Sequence, residues 1–218
     1  VAKNGGGVLP CIYKHTVLLC AVTIMEDRGR EEAQEAEAEL RSGVWRGPLH
    51  GIPYGVKDLF SVAGVRTTWG SSDFENRTIS EDAEVIVRLR EAGAVLIAKL
   101  ATGEFARGDR WYRGQTRNPW NTDLSAGGSS GGSAVALATG QAWLATGNDL
   151  GGSLRTPAGF NGVAGLRPSP GVVPRGKRLQ PFDTLWVEGP MGRSVADVAL
   201  MLDAGAGPVS YTHLRAHE

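Results

Sequence analysis

Apolar and polar positions along this chain fall into two alternating rhythms. Residues 27–42, DRGREEAQEAEAELRS, are rich in Ala, Glu and Leu, which favour helix, and Gly43 supplies a stop. Their apolar positions, Ala33, Ala36 and Leu40, make one narrow stripe, so the spacing predicts a peripheral helix. Residues 47–60, GPLHGIPYGVKDLF, read as an apolar strand interrupted by Gly and Pro. A helix is predicted over 81–92, with Ser80 as N-cap, Gly93 as stop, and Val85, Leu89 and Ala92 on one face. The run AVLIAKL (94–100) follows it directly, the pattern of a buried parallel strand. Further on come a helix in SAVALATG (133–140) and a strand in LATGND (144–149). TPAGFNG (156–162) gives a helical turn with Pro157 near its start, where proline is tolerated. GVAGLRPS (162–169) reads as a strand and SVADVALMLDAG (194–205) as an amphipathic helix ending in glycine. This alternation predicts an α/β fold with helices around a central mixed or parallel sheet.

The two ends follow other rules. Residues 1–26 are expected to be an irregular N-terminal segment, within which the apolar run 17–25 is far too short to cross a bilayer. No small-residue cleavage pattern follows that run, so a buried strand or helical turn is the better reading than a signal peptide. At the other end SYTHLRAHE (210–218) has no apolar period and resembles an adapter-derived sequence. Residues 27–207 are therefore expected to form the folded domain, with 208–218 a non-native, disordered tail. His213 and His217 in that tail are four apart, but no third ligand accompanies them, so no metal site is assigned.

Composition narrows the functional classes. The chain has 23 basic and 23 acidic residues, and no clustered basic run. That argues against direct nucleic-acid binding and against a charged membrane-docking surface. Two cysteines, Cys11 and Cys20, make a disulfide framework improbable and a reducing, cytoplasmic location the default.

The density of Ser and Gly over 125–162 demands a chemical explanation. A flexible linker would not contain the apolar stretch AVALATGQAWLATG. A phosphate loop would need GxxxxGK[ST] or GxGxxG between strand and helix, and neither stands here. A serine site remains. Ser153 follows Leu150, Gly151 and Gly152, whose backbone N–H groups can turn inward to hold an oxyanion. Serine needs a base. His15 and His50 sit beside no carboxylate motif, and GxSxG is absent, so no Ser-His-Asp triad is visible. Lysine is the remaining type, and Lys57 has two readings: a desolvated amine with lowered pKa, or an exposed cation paired with Asp58.

The blocks GPLHGIPYGVKDLF, TRNPWN (116–121), GGSSGGSA (127–134) and GNDLGGSLRTPAGFNGVAGLRPS (148–169), in that order, resemble the amidase signature family. The resemblance runs from about residue 30 to about residue 207 and implies an amidase-signature fold whose C-terminal part is missing. It implies a Ser–cis-Ser–Lys triad of Ser153 as nucleophile, Ser129 as bridging serine after a cis peptide, and Lys57 as base. The N–H groups of Leu150, Gly151, Gly152 and Ser153 would form the oxyanion hole. Ser130 either hydrogen-bonds the triad or fills the turn, Asp149 positions backbone amides near the hole, and Arg155 orients the loop or pairs with Asp149. Trp69, Trp111, Trp120 and Trp186 either line a pocket or belong to the core, and the core is the plainer reading. Asn148 departs from the family, which more often has Ser or Thr there.

The implied activity is hydrolysis of a carboxylic amide to acid plus ammonia or amine, without metal or organic cofactor. One alternative is the A-type glutaminase subunit of a tRNA-dependent amidotransferase; another is an inactive fragment or interaction module. The implied partners are a small-molecule amide and either a second copy in a homodimer or amidotransferase subunits, with neither nucleic acid nor membrane bound directly.

Overall fold

The computed structural model describes residues 16–175 and 183–207. Cys11, His15, His213, His217 and the tail expected over 208–218 lie outside the described residues. Six strands form one mixed sheet: β1 (Ala21–Ile24), β2 (Pro53–Lys57), β3 (Val95–Leu100), β6 (Leu144–Asp149), β7 (Ala164–Gly165) and β8 (Val187–Gly192), in the order β1-β3-β2-β6-β8-β7. The three central strands β3, β2 and β6 run parallel, while β1, β8 and β7 pair antiparallel at either side. A two-stranded hairpin, β4 (Arg110–Trp111) and β5 (Gly114–Gln115), stands apart from the sheet. Five helices accompany the strands: α1 (Glu26–Arg41), α2 (Glu84–Glu91), α3 (Gly131–Ala138), α4 (Arg155–Asn161) and α5 (Val195–Gly205).

The central strands are apolar on both faces because both faces are covered. Tyr54, Val56 and Leu96 meet Ile86, Leu89 and Met201 in one buried cluster. Ile97, Ala98 and Leu100 meet Ala134, Leu137 and Leu154 in another. The parallel-strand reading of 94–100 therefore stands, and β3 has no exposed position. α3 is almost wholly buried, and its first turn backs onto the end of β3. Gly132 makes this approach possible, since a Cβ there would lie 2.4 Å from the Ala101 nitrogen. A side chain at this position would push the serine-bearing turn away from the sheet.

Several expectations are corrected in detail. The segment expected to be irregular, 1–26, contains β1, which pairs with β3 at the sheet edge. The run 17–25 thus joins the end of a 3₁₀ turn, Thr16–Leu18, to this strand. α2 starts at Glu84 after Ala83, not at a Ser80 cap; Asp82 accepts from the Ala63 N–H and pairs with Arg90 instead. α1 leans on the sheet through Gly29 and Ala36, and Leu40 points outward. Of the strand read over 162–169, only Ala164–Gly165 pairs. β8 carries no alternating pattern and is not legible as a strand. Its Gly189 is small because a Cβ there would sit 2.2 Å from the Leu166 carbonyl. α5 is capped at its start: Ser194 accepts from the Asp197 N–H, and the Asp197 side chain accepts from the Ser194 N–H.

Among the described residues, no helix is long and apolar enough to cross a membrane. No three His, Cys, Asp or Glu side chains are grouped to hold a metal ion there either.

Candidate active site

Parallel pairing fixes which residues meet. β2 and β6 run side by side with Tyr54 opposite Leu144 and Gly55 opposite Ala145, so Lys57 and Asn148 emerge at the same sheet end. Side chains two apart share a face of a strand, which places Thr146 and Asn148 together. Both reach Lys57: Thr146 Oγ1 accepts from its backbone N–H at 3.0 Å, and Asn148 Oδ1 accepts from Nζ at 2.5 Å. The alternation of polar positions in LATGND is the signal for these two residues.

The glycine-serine turn closes over the lysine. The peptide between Gly128 and Ser129 is cis. Gly127 has φ of +73° and Gly128 packs so closely on the 108–109 backbone that a Cβ would fall 1.8 Å from the Gly108 oxygen. The turn is held by Gly103 N–H to the Ser129 carbonyl at 3.2 Å and by Gly132 N–H to the Ala101 carbonyl at 3.1 Å. Lys57 Nζ lies 2.7 Å from Ser129 Oγ and 2.8 Å from Ser130 Oγ. Lys57, Ser129 and Ser130 are all fully buried.

This geometry decides between the two readings of Lys57. Asp58 does not pair with it; Asp58 faces Lys99 at 3.1 Å and accepts from the Thr68 N–H at 2.9 Å. Burial pushes the Lys57 amine well below the ordinary lysine value, and the charge of Asp149 only partly opposes this. Burial thus favours the uncharged form of an amine that touches both serine hydroxyls.

Ser153 lies between β6 and α4 and is half-buried. Its carbonyl accepts from the Ser130 N–H at 3.0 Å, which ties its loop to the cis turn. The Asp149 carboxylate organises the loop from beneath. It accepts from the N–H groups of Gly152 (2.8 Å), Leu154 (3.2 Å) and Arg155 (3.3 Å). Arg155 also pairs with it at 3.0 Å through its side chain, and so does Arg167 at 3.0 Å. Sequence reasoning missed Arg167 because it lies in what reads as a strand. Burial alone would raise the Asp149 pKa, but Arg155 and the backbone donors hold it well below the usual carboxylate range.

One expected hole donor is otherwise occupied. The Gly152 N–H is spent on Asp149. The tryptophans divide: Trp111 is buried, Trp120 is exposed, and Trp69 and Trp186 are half-buried beneath Arg77 and Arg175. The core reading therefore holds for Trp111 alone.

Asp149→Asn should destabilise the protein by about 3 kcal/mol, because the carboxylate serves two arginines and several N–H groups at once. The sign of its pH dependence follows from the lowered pKa. The contribution is complete above the ordinary value of 3.8 and is lost as pH falls from there toward the folded-state value. Urea unfolding between pH 3 and 7 should show the wild type converging on the variant at the acid end.

The Amidase family model matches residues 11–215. The chain is 42% identical over 189 residues to the A subunit of glutamyl-tRNA(Gln) amidotransferase from Carboxydothermus hydrogenoformans, covering 85% of this chain and 39% of that protein. It is 45% identical over 196 residues to the corresponding protein of a Roseiflexus species, covering 88% and 40%. Among solved structures, a peptide amidase from Stenotrophomonas maltophilia superimposes with a TM-score of 0.80 at 38% identity, over 92% of this chain and 42% of that one. A bacterial aryl acylamidase of the amidase signature enzymes gives 0.86 at 30% identity, over 92% and 43%. The chain thus spans about two-fifths of the length of the curated relatives it matches.

Proposed function

Since the chain belongs to the amidase signature family, we propose that Ser153, Ser129 and Lys57 cleave a carboxylic amide through an acyl-enzyme. The observation that carries this reading is the buried Lys57 amine, 2.7 Å from the hydroxyl of Ser129. Neutral Lys57 takes the proton of Ser129, which takes that of Ser153. Ser153 Oγ then bonds to the amide carbon. The N–H groups of Leu150, Gly151 and Ser153 receive the negative charge on the carbonyl oxygen. The C–N bond breaks as the proton returns from Lys57 through Ser129 to the leaving nitrogen. Water follows the same path to release the acid and restore Ser153. Asp149, Arg155 and Arg167 hold the loop in position without touching the reacting atoms.

A serine-reactive phosphonate tests the reading. Intact mass should gain one adduct, peptide mapping should place it on Ser153, and labelling should slow as Lys57 becomes protonated at low pH. Absence of any adduct on the folded full-length protein would favour the interaction-module reading instead.

The identity to amidotransferase A-type chains supports a second reading, in which the amide is glutamine and the ammonia passes to a partner protein. Glutamine-dependent ammonia release that rises when partner subunits are added would select it. Release from a range of simple amides, without a partner, would select the stand-alone amidase.

A further inference from the structure

The proposed relay needs more than an uncharged lysine. A neutral amine offers two N–H donors and a single lone pair. The lone pair must face Ser129, because a lone pair satisfied elsewhere cannot receive the relayed proton. Three side-chain oxygens surround Nζ: Ser129 Oγ at 2.7 Å, Ser130 Oγ at 2.8 Å and Asn148 Oδ1 at 2.5 Å. Their chemistry differs. A hydroxyl can accept an N–H or turn about and donate its own proton to the lone pair. An amide carbonyl oxygen only accepts. Asn148 Oδ1 therefore always takes one of the two N–H groups.

The backbone of the same residue bears on the second. The Ser130 hydroxyl has an acceptor for its proton in the Asn148 carbonyl, at 3.5 Å. With its proton directed there, Ser130 Oγ meets Lys57 as an acceptor. Both N–H groups are then engaged, and Ser129 is the partner left for the lone pair.

The state of Asn148 points the same way. Its side chain is 1% exposed, yet Nδ2 finds no hydrogen-bond partner among the described residues. Leaving a buried amide half-satisfied is unfavourable for folding. Only the Oδ1 end of the amide has a partner, so the carbonyl end is the reason for the residue.

We infer that Asn148 is a positioning residue that fixes the hydrogen-bond direction at Lys57, holding the amine lone pair toward Ser129. This inference rests on the amide-cleavage reading above. The charged groups around Lys57 are already engaged: Asp149 with Arg155 and Arg167, and Asp58 with Lys99. A new charge at position 148 would therefore act on Lys57 directly.

The test is a set of three variants in the full-length protein, assayed for amide hydrolysis across pH. Asn148→Asp places a carboxylate against the amine and favours its protonated form. The acid limb of kcat/KM should move up by about 1–3 pH units. Activity at neutral pH should fall about tenfold or more and recover on the alkaline side. Asn148→Leu keeps the bulk but frees one N–H, and kcat should drop about tenfold or more with KM little changed. Asn148→Thr restores an acceptor and should recover part of that loss.

An acid limb unmoved in an active Asn148→Asp protein would overturn the inference. If that variant does not fold, the other two decide: equal kcat for leucine and threonine, or wild-type kcat with leucine, would overturn it. Lys57→Met separates the two levels of argument. Turnover retained in that variant removes the base itself, and the positioning role with it. Turnover lost there, with Asn148→Asp unshifted, removes only the positioning role.

Discussion

Replacing Lys57 by methionine is expected to abolish amide turnover, by at least about 10³-fold, while leaving the protein folded. General-base assistance is commonly worth about 10²–10⁴ in rate, and here the same group also returns the proton to the leaving nitrogen. Methionine matches the length of the lysine stem and brings no charge into a fully buried site, so the fold loses little. Two pH signatures accompany the rate loss. Lys57 works as the free amine, so wild-type kcat/KM should rise with pH through its lowered value and level off above it. Stability follows the same group. Between the lowered folded value and the ordinary 10.5, the unfolded chain binds the extra proton, so raising pH stabilises the fold in that window. The burial penalty of Lys57 is absent above 10.5 and grows as pH falls toward the folded value. Lys99 is also lowered, by burial, and keeps its own share of this slope. The methionine variant should therefore show a shallower rise of stability with pH, read by urea unfolding. Near-normal turnover in Lys57→Met at neutral pH would remove lysine from the mechanism.

The ordered blocks made the candidate site legible through their family resemblance, and the structure explains why the residues alone left parts of it ambiguous. GIPYGVKDLF carries a lysine in an apolar run, a pattern that fits a snorkelling surface cation as well as a desolvated base. Only the pairing of β2 between two parallel neighbours removes the first reading, because it buries the strand on both faces. Lys99 on β3 shows that the same environment can hold a second lysine, there paired with Asp58. Whether a buried lysine is charged or free depends on whether a carboxylate faces it, and that is a tertiary fact. The helices are legible where glycine marks an end: Gly43, Gly93 and Gly162 all have positive φ. β8 is invisible in the sequence because its Gly189, Pro190 and Gly192 look like a loop. Both glycines are strand residues without room for a side chain: Leu154, Leu166 and Pro168 crowd Gly189, and Asp197 crowds Gly192. The Gly152 N–H illustrates the limit of motif transfer. A motif locates the loop but does not say which amides Asp149 has already claimed.

Ser153→Ala is expected to give the largest loss, about 10⁴–10⁶ in kcat, together with complete loss of phosphonate labelling. Removing a serine nucleophile takes away the bond-forming atom, and what remains is binding and the hole, the residual catalysis found when such triads are dismantled. The fold should be indifferent to the change. The loop is anchored by the Ser153 carbonyl, which accepts from Ser130, and by Asp149 beneath it, and alanine keeps both. Ser129→Ala makes the informative contrast. It leaves the nucleophile and the base in place but removes the atom between them. Its loss should be severe yet smaller than that of Ser153→Ala, and slow labelling of Ser153 should persist. Comparing labelling rate with turnover in the two variants separates attack from relay. A Ser153→Ala protein that still hydrolysed amides at a rate comparable to Ser129→Ala would mean that the acyl group never resides on residue 153. The buried lysine would then be acting on water instead of a serine.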